Sequence, residues 1–303
     1  MMQQIRLKLP SPLQRLSLNS ENIGAPIAEN HCATQLLWCK RDDLIHPIIS
    51  GNKWRKLVHT LTHHNSIHHI ISYGGGFSNH LHALGYICYR ENIHFTARIR
   101  GDYRKHPTPM ITDLSNWGTQ IEYLDKQVFK QVREQPHQSI QDGVLVIPEG
   151  GFTQSGLAGV GVIIQELLSQ HQAFATEAVT IVVPVATGTT LAGLVKQAPA
   201  NWFIQGIAVL KGQQYLENNV HALIGDSYTN WHINHEFHAG GYAKKTPELN
   251  DFLDLWDHES CPIEPVYSGK AVWGLNNLIE QQKINSKHII YLHTGGLQGA
   301  RKA

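Results

Sequence analysis

The segment Gly51-Asn52-Lys53-Trp54-Arg55-Lys56-Leu57 sets a lysine between turn-favouring residues and the start of an amphipathic pattern. It follows the charged run Lys40-Arg41-Asp42-Asp43. A lysine at such a strand-to-helix corner is held by its backbone rather than left on a flexible surface. That placement suits an amine that condenses with a carbonyl compound as a Schiff base. The same residues also make an ordinary helix start followed by a basic, solvated turn, and Gly-Asn before a helix is common punctuation. Alone they favour the ordinary reading; the rest of the chain reverses it.

Several glycine-rich segments follow predicted strands. Ser72-Tyr73-Gly74-Gly75-Gly76-Phe77-Ser78-Asn79-His80 lets the backbone turn sharply and approach a ligand closely. Ser78 and Asn79 then stand at a helix start, where free N–H groups bind anions and a hydroxyl can cap. Val185-Ala186-Thr187-Gly188-Thr189-Thr190 repeats the strand, loop, helix order with consecutive hydroxyls, which makes a phosphate cradle. It is neither a Walker A loop nor GxGxxG, so it predicts a phosphate without a nucleotide. Glu149-Gly150-Gly151 and His293-Thr294-Gly295-Gly296 add two more loops at strand ends. Their convergence is more specific than any one of them, because open α/β sheets bind ligands at the carboxyl ends of strands. Tyr242 in Gly240-Gly241-Tyr242-Ala243 and Tyr267 in Pro265-Val266-Tyr267-Ser268-Gly269-Lys270 lie in loops, and each alone reads as structural.

The elements that must position these residues alternate. Apolar runs over 36–39, 67–72, 93–99, 119–123, 144–147, 179–185, 203–209 and 288–292 read as strands, several buried on both faces. Helical patterns separate them, for example over 79–89, 154–170, 190–197 and 270–281. The alternation predicts an α/β fold with open twisted parallel sheets.

Composition limits the function classes. The 303 residues allow one large domain or two ordinary ones. The formal net charge of +1 excludes a global field that would draw the chain to nucleic acid or a membrane. No apolar run is long enough for a membrane span, and the N-terminus lacks a signal-peptide core. Cys32, Cys39, Cys88 and Cys261 show neither metal spacing nor a disulfide framework, which fits a reducing cytoplasm. The twenty histidines are unusual. His59, His63, His64, His68 and His69 fall near helical spacing, and His232, His235 and His238 recur every three residues. Acidic residues are sparse around both groups and HExxH is absent, so most of these histidines read as surface polar residues with no metal.

Together these motifs resemble the fold type II pyridoxal-phosphate enzymes, the tryptophan synthase β-like class. The nearest branch is the D-cysteine desulfhydrase and 1-aminocyclopropane-1-carboxylate deaminase family. The resemblance rests on Lys40-Arg41-Asp42-Asp43, Gly51-Asn52-Lys53, Ser78-Asn79-His80, the Gly/Thr loop at 187–190, Pro265-Val266-Tyr267-Ser268-Gly269-Lys270 and His293-Thr294-Gly295-Gly296, in that order over most of the chain. It implies that Lys53 is the Schiff-base lysine, and that Lys56 with Thr187, Gly188, Thr189 and Thr190 holds the phosphate. It further implies that Asn79 bonds the phenolic oxygen, Tyr267 stacks on the ring and Thr294 faces the pyridine nitrogen. Ser78 and Tyr242 look like the substrate-side catalytic pair, joining Lys53 and Tyr267. The implied architecture is a large cofactor-binding domain, 1–55 with 160–303, and a smaller inserted domain, 56–159, in a homodimer acting on a small amino acid.

Three departures bear on the substrate. In the resembling deaminases a Glu follows the stacking tyrosine and contacts the pyridine nitrogen; here that position is Ser268. A hydroxyl at that nitrogen makes the ring a weaker electron sink, which suits β-elimination. D-Cysteine would then give pyruvate, ammonia and sulfide. Phe77 replaces a frequent Gln and Trp54 replaces a small residue, so the substrate need not be either family standard. The alternatives are deamination of 1-aminocyclopropane-1-carboxylate to 2-oxobutanoate, a cofactor-binding protein with little turnover, and a plain phosphate-binding module.

Overall fold

A computed structural model of the chain describes residues 5–16, 35–62, 67–134, 139–212 and 214–301. Cys32, His63, His64 and the first four residues lie outside these.

The described strands form two sheets drawn from separate stretches of the chain. The first is six-stranded, in the order β1 (Leu13–Arg15), β2 (Leu36–Arg41), β11 (His288–His293), β8 (Val179–Val185), β9 (Trp202–Ala208) and β10 (Trp231–Asn234). The second is five-stranded, in the order β5 (Gln120–Leu124), β4 (His94–Arg100), β3 (His69–Gly75), β7 (Val144–Ile147) and β6 (Ser139–Gln141). Pairing is parallel throughout except at the edge pairs β1–β2 and β6–β7. This is an α/β fold with two open, parallel-dominant sheets.

Burial explains why the central strands were readable. Every residue of β8 is buried, as expected of a strand covered on both faces. One face packs on α5 (Gln154–Gln170), α6 (Thr189–Gln197) and α7 (Tyr215–Ile224), through Ile163, Leu167, Leu191, Leu194 and Val220. The other packs on α8 (Pro247–Leu255) and α9 (Ser268–Glu280), through Phe252, Val272 and Leu275. The second sheet shares a core with α1 (Asn52–Thr62), α2 (Asn79–Glu91) and α3 (Pro109–Asn116), through Leu57, Leu61, Leu84, Ile87 and Leu114. A further helix, α4 (Lys126–Glu134), follows β5.

The largest boundary difference from the sequence expectation is at β3. The expected strand 67–72 runs instead to Gly75, because Gly74 and Gly75 pair with Ile99 and Arg100 of β4. The glycine turn therefore begins only at Gly76. Strands β1, β6 and β10 carry too few residues for an alternation pattern to show.

Candidate active site

The corner holding Lys53 is fixed by buried ion pairs. Arg55, one turn into α1, donates to both Asp42 oxygens at 2.7 Å and to Glu166 of α5 at 2.9 and 3.0 Å. Lys40 reaches Glu166 at 2.6 Å, and Arg41 grips Asp43 through two bonds. The charged run 40–43 is thus a clamp on α1 rather than a chemical group, and removing one partner of such a buried pair costs about 3–5 kcal/mol. Gly51 turns the chain with φ +68° and donates to the Asp42 carbonyl. A Cβ there would lie 1.7 Å from the Thr294 carbonyl oxygen, so only glycine permits β11's exit to cross this corner.

A cavity of about 460 Å³ opens beside this corner. The carboxyl ends of β3, β4, β8 and β11 reach it, as do the N-termini of α1, α2 and α6. Lys53, Lys56, Ser78, Asn79, Thr187, Gly188, Thr190, Tyr242, Tyr267 and Thr294 all line it. Thr189 does not. Its side chain is buried, 3.4 Å from the Thr187 hydroxyl, and only its helix-starting backbone could serve a ligand.

Electrostatics distinguish the two lysines. Lys53 donates to Asn52 Oδ1 at 2.5 Å, and burial lowers its pKa to about 8 against the opposing pull of the Glu264 carboxylate. Burial is thus the main cause at Lys53. Lys56 is pushed well below the ordinary lysine range by burial and then by Lys53. Its ammonium donates to the Gly150 carbonyl at 3.2 Å and, among the described residues, has no carboxylate partner. A buried cation without a counter-charge, close to a helix N-terminus, fits a phosphate dianion. Asn52 ties the two halves of this cradle by donating to Thr190 Oγ1 at 2.8 Å.

The α2 start does two jobs. Ser78 caps the helix, accepting from Leu81 N–H at 3.2 Å, and its hydroxyl proton remains available toward the cavity. Asn79 accepts from Gln298 Nε2 at 2.8 Å, and Gly296 packs against its amide so closely that a Cβ would sit 2.0 Å from Nδ2. Burial raises the Tyr242 phenol to about 12, although hydrogen bonds from Tyr267 and the Phe77 N–H pull it down. Tyr242 therefore keeps its proton at neutral pH. Tyr267 is raised well above its ordinary value by burial first and then by Tyr242.

Three residues escaped the sequence reading. Glu264 is fully buried, and its carboxylate accepts from the Val266, Tyr267 and Ser268 N–H groups at 2.7–2.8 Å, pinning the Tyr267 loop. Burial raises its pKa against those bonds. His80 lines the cavity with its pKa lowered to about 3 by burial and by Lys53 and Lys56. The Ser72 hydroxyl donates to the Ile147 carbonyl, so His80 Nε2 is the protonated nitrogen, and buried Nδ1 is an unfilled acceptor. Arg100 also enters the cavity, with its guanidinium 5.6 Å from the Tyr242 ring. The signal for Glu264 was its place three residues before Tyr267; Arg100 carried none.

Three expected substrate determinants lie outside the cavity lining. Trp54 is buried in the α1–α2 core and does not line the cavity, because its helical position turns it away from Lys53. Phe77 is half-buried beside Tyr242, to which its N–H donates, but its side chain is not part of the lining. Ser268 is fully buried against Glu264 and also lies outside the lining. The histidines are less superficial than expected: His69 bonds Thr96 and His235 bonds Glu217. Among the described residues, no three metal-capable side chains cluster, and no helix is long and apolar enough to cross a membrane. Cys39, Cys88 and Cys261 are buried free thiols.

A model of the pyridoxal-phosphate dependent enzyme family matches residues 9–295, and the chain belongs to that family. It is therefore a pyridoxal-phosphate-dependent enzyme. The chain is 27% identical to a putative 1-aminocyclopropane-1-carboxylate deaminase of Thermotoga maritima, over 96% of this chain and 95% of that one. It is 26% identical to a D-cysteine desulfhydrase of Klebsiella pneumoniae, over 95% and 92%. The solved structure of an ACC deaminase homologue superposes with a TM-score of 0.76 at 24% identity, covering 98% of this chain and 92% of the other. The shared fold is that of the fold type II enzymes.

Proposed function

We propose that the protein is a β-eliminating lyase acting on a small amino acid, with D-cysteine and water giving pyruvate, ammonia and sulfide. The carrying observation is one cavity that joins an amine of pKa about 8 at Lys53 to the Lys56 phosphate cradle and the protonated Tyr242 phenol. When bound, pyridoxal phosphate supplies a conjugated ring that takes up the electron pair left as the α-proton departs.

The chain's own residues do the rest. Lys56 and the loop of Thr187, Gly188, Thr189 and Thr190 bind the phosphate. Asn79, Tyr267 and Thr294 orient the ring. Lys53 would hold the cofactor through its aldehyde, and as a neutral amine it would accept the substrate's α-proton. The N–H groups at the start of α2 receive the substrate carboxylate. Ser78 and Tyr242 would act on the substrate side, where the Tyr242 phenol, protonated at neutral pH, would donate a hydrogen bond to the departing sulfur.

β-Elimination is favoured over ring opening because the Glu264 carboxylate is spent on three backbone N–H groups while the Thr294 hydroxyl lines the cavity. Deamination of 1-aminocyclopropane-1-carboxylate is the second reading, favoured by the Thermotoga relative. Sulfide release from D- and L-cysteine, run beside 2-oxobutanoate release from the cyclopropane substrate, decides between them. Sulfide from D-cysteine supports elimination; 2-oxobutanoate alone supports the second reading. Bound cofactor with no turnover of any amino acid makes the protein a carrier. The same reading includes a homodimer, a cytoplasmic location favoured by the free thiols, and domains at 1–55 with 160–303 and 56–159, which the partition of the two sheets supports.

A further inference from the structure

Arg100 closes β4 at the edge of the cavity, and its charge has no role in the chemistry above. Its guanidinium carbon lies 5.6 Å from the centre of the Tyr242 ring and 5.8 Å from that of Phe129 on α4. Among the described residues it makes no hydrogen bond and no ion pair. Its neighbours differ. Arg98 is spent on Glu122 at 2.8 Å and Tyr73 at 2.9 Å, and Arg104 on Asp102 at 2.7 Å. Two aromatic rings hold the charge in place and leave its N–H donors unused.

The lysines of the cavity already have roles. In the proposed reading Lys56 and the α6 N-terminus neutralise the phosphate, Lys53 binds the aldehyde, and the α2 N-terminus takes the α-carboxylate. Arg100 is a further cation, beside the tyrosine that faces the substrate side chain. A planar fork of donors matches a carboxylate through two parallel bonds. We infer that Arg100 binds a second carboxylate, carried on the substrate's side chain, so that the preferred ligand is a small dicarboxylic amino acid. This rests on the β-elimination and cofactor placement proposed above, and it makes D-cysteine, which carries one carboxylate, a poorer substrate than a dicarboxylic amino acid with a β-leaving group.

The test titrates the cofactor-loaded protein with the D- and L-forms of aspartate and alanine, following the cofactor's absorbance. One enantiomer of aspartate is expected to bind about tenfold or more tightly than the matching alanine, the size of a charge-assisted hydrogen bond. Arg100→Gln is expected to bring the ratio of the two dissociation constants close to one, and Arg100→Lys to restore part of it. The melting temperature and bound-cofactor spectrum of each variant confirm its fold. Equal binding of aspartate and alanine by the wild type would overturn the inference. So would an equal weakening of both by Arg100→Gln, which would place the α-carboxylate on Arg100. Calorimetry of succinate against propionate on cofactor-free protein separates this from failure of the enzymatic reading. An Arg100-dependent preference for succinate supports the site even where no amino acid alters the spectrum, and no preference counts against it.

Discussion

Lowering the Lys53 amine to a pKa of about 8 should make cofactor capture fast near neutrality. At pH 7.5 such an amine is about one-quarter neutral, whereas an ordinary lysine of pKa near 10.4 is only about 0.1% neutral. Only the neutral amine attacks an aldehyde, so the reactive form is enriched roughly 200-fold. The perturbation is pH. The assay is stopped-flow absorbance on mixing cofactor-free protein with pyridoxal phosphate between pH 6 and 10. The rate should rise through a midpoint near 8 and level off above about pH 9. Glu264→Gln should move the midpoint lower, because the Glu264 carboxylate favours the protonated amine. A rate that still climbs steeply past pH 9.5 would refute the assignment of burial as the controlling effect.

The same burial affects stability. Lys53 and Lys270 both have folded pKa values near 8, below the unfolded value, so the folded state binds fewer protons between about pH 8 and 10.5. Denaturant melts of cofactor-free protein should show stability rising with pH from about 8, until the raised thiols of Cys39 and Cys88 and then the raised phenols of Tyr242, Tyr267 and Tyr291 reverse the slope. Gly51→Ala, with a Cβ 1.7 Å from the Thr294 carbonyl at positive φ, should cost at least about 2 kcal/mol in melts and weaken cofactor binding. Trp54→Ala should cost about 3–5 kcal/mol by emptying a core position, yet leave the order of substrate preference unchanged. A reordering of substrates would return Trp54 to the pocket.

Legibility followed how much of each feature is local. Strand β8 is buried along its whole length, so its run of apolar residues announces it in the sequence. The glycine and threonine loops are equally local, since sharp turns and helix starts demand those residues. The adjacency of Lys53 and Thr294 became visible through several motifs taken together and a family resemblance. Arg100 and Glu264 stayed hidden for a different reason. Arg100 sits in an ordinary strand sequence and gains meaning only when β4 ends beside Tyr242. Glu264 matters through its hydrogen bonds to its own loop. Trp54 misled because the residue next to Lys53 in sequence is turned by about 100° around a helix and enters the core instead of the cavity. His69 and His235 read as surface residues because their bonds to Thr96 and Glu217 are set by tertiary packing, which hydropathy does not reveal.

Borohydride reduction of the cofactor-loaded protein, followed by peptide mapping by mass spectrometry, tests the central claim most directly. A single pyridoxyl adduct is expected, on the peptide containing Lys53. An adduct on Lys56 or Lys270, or none at all, would contradict it.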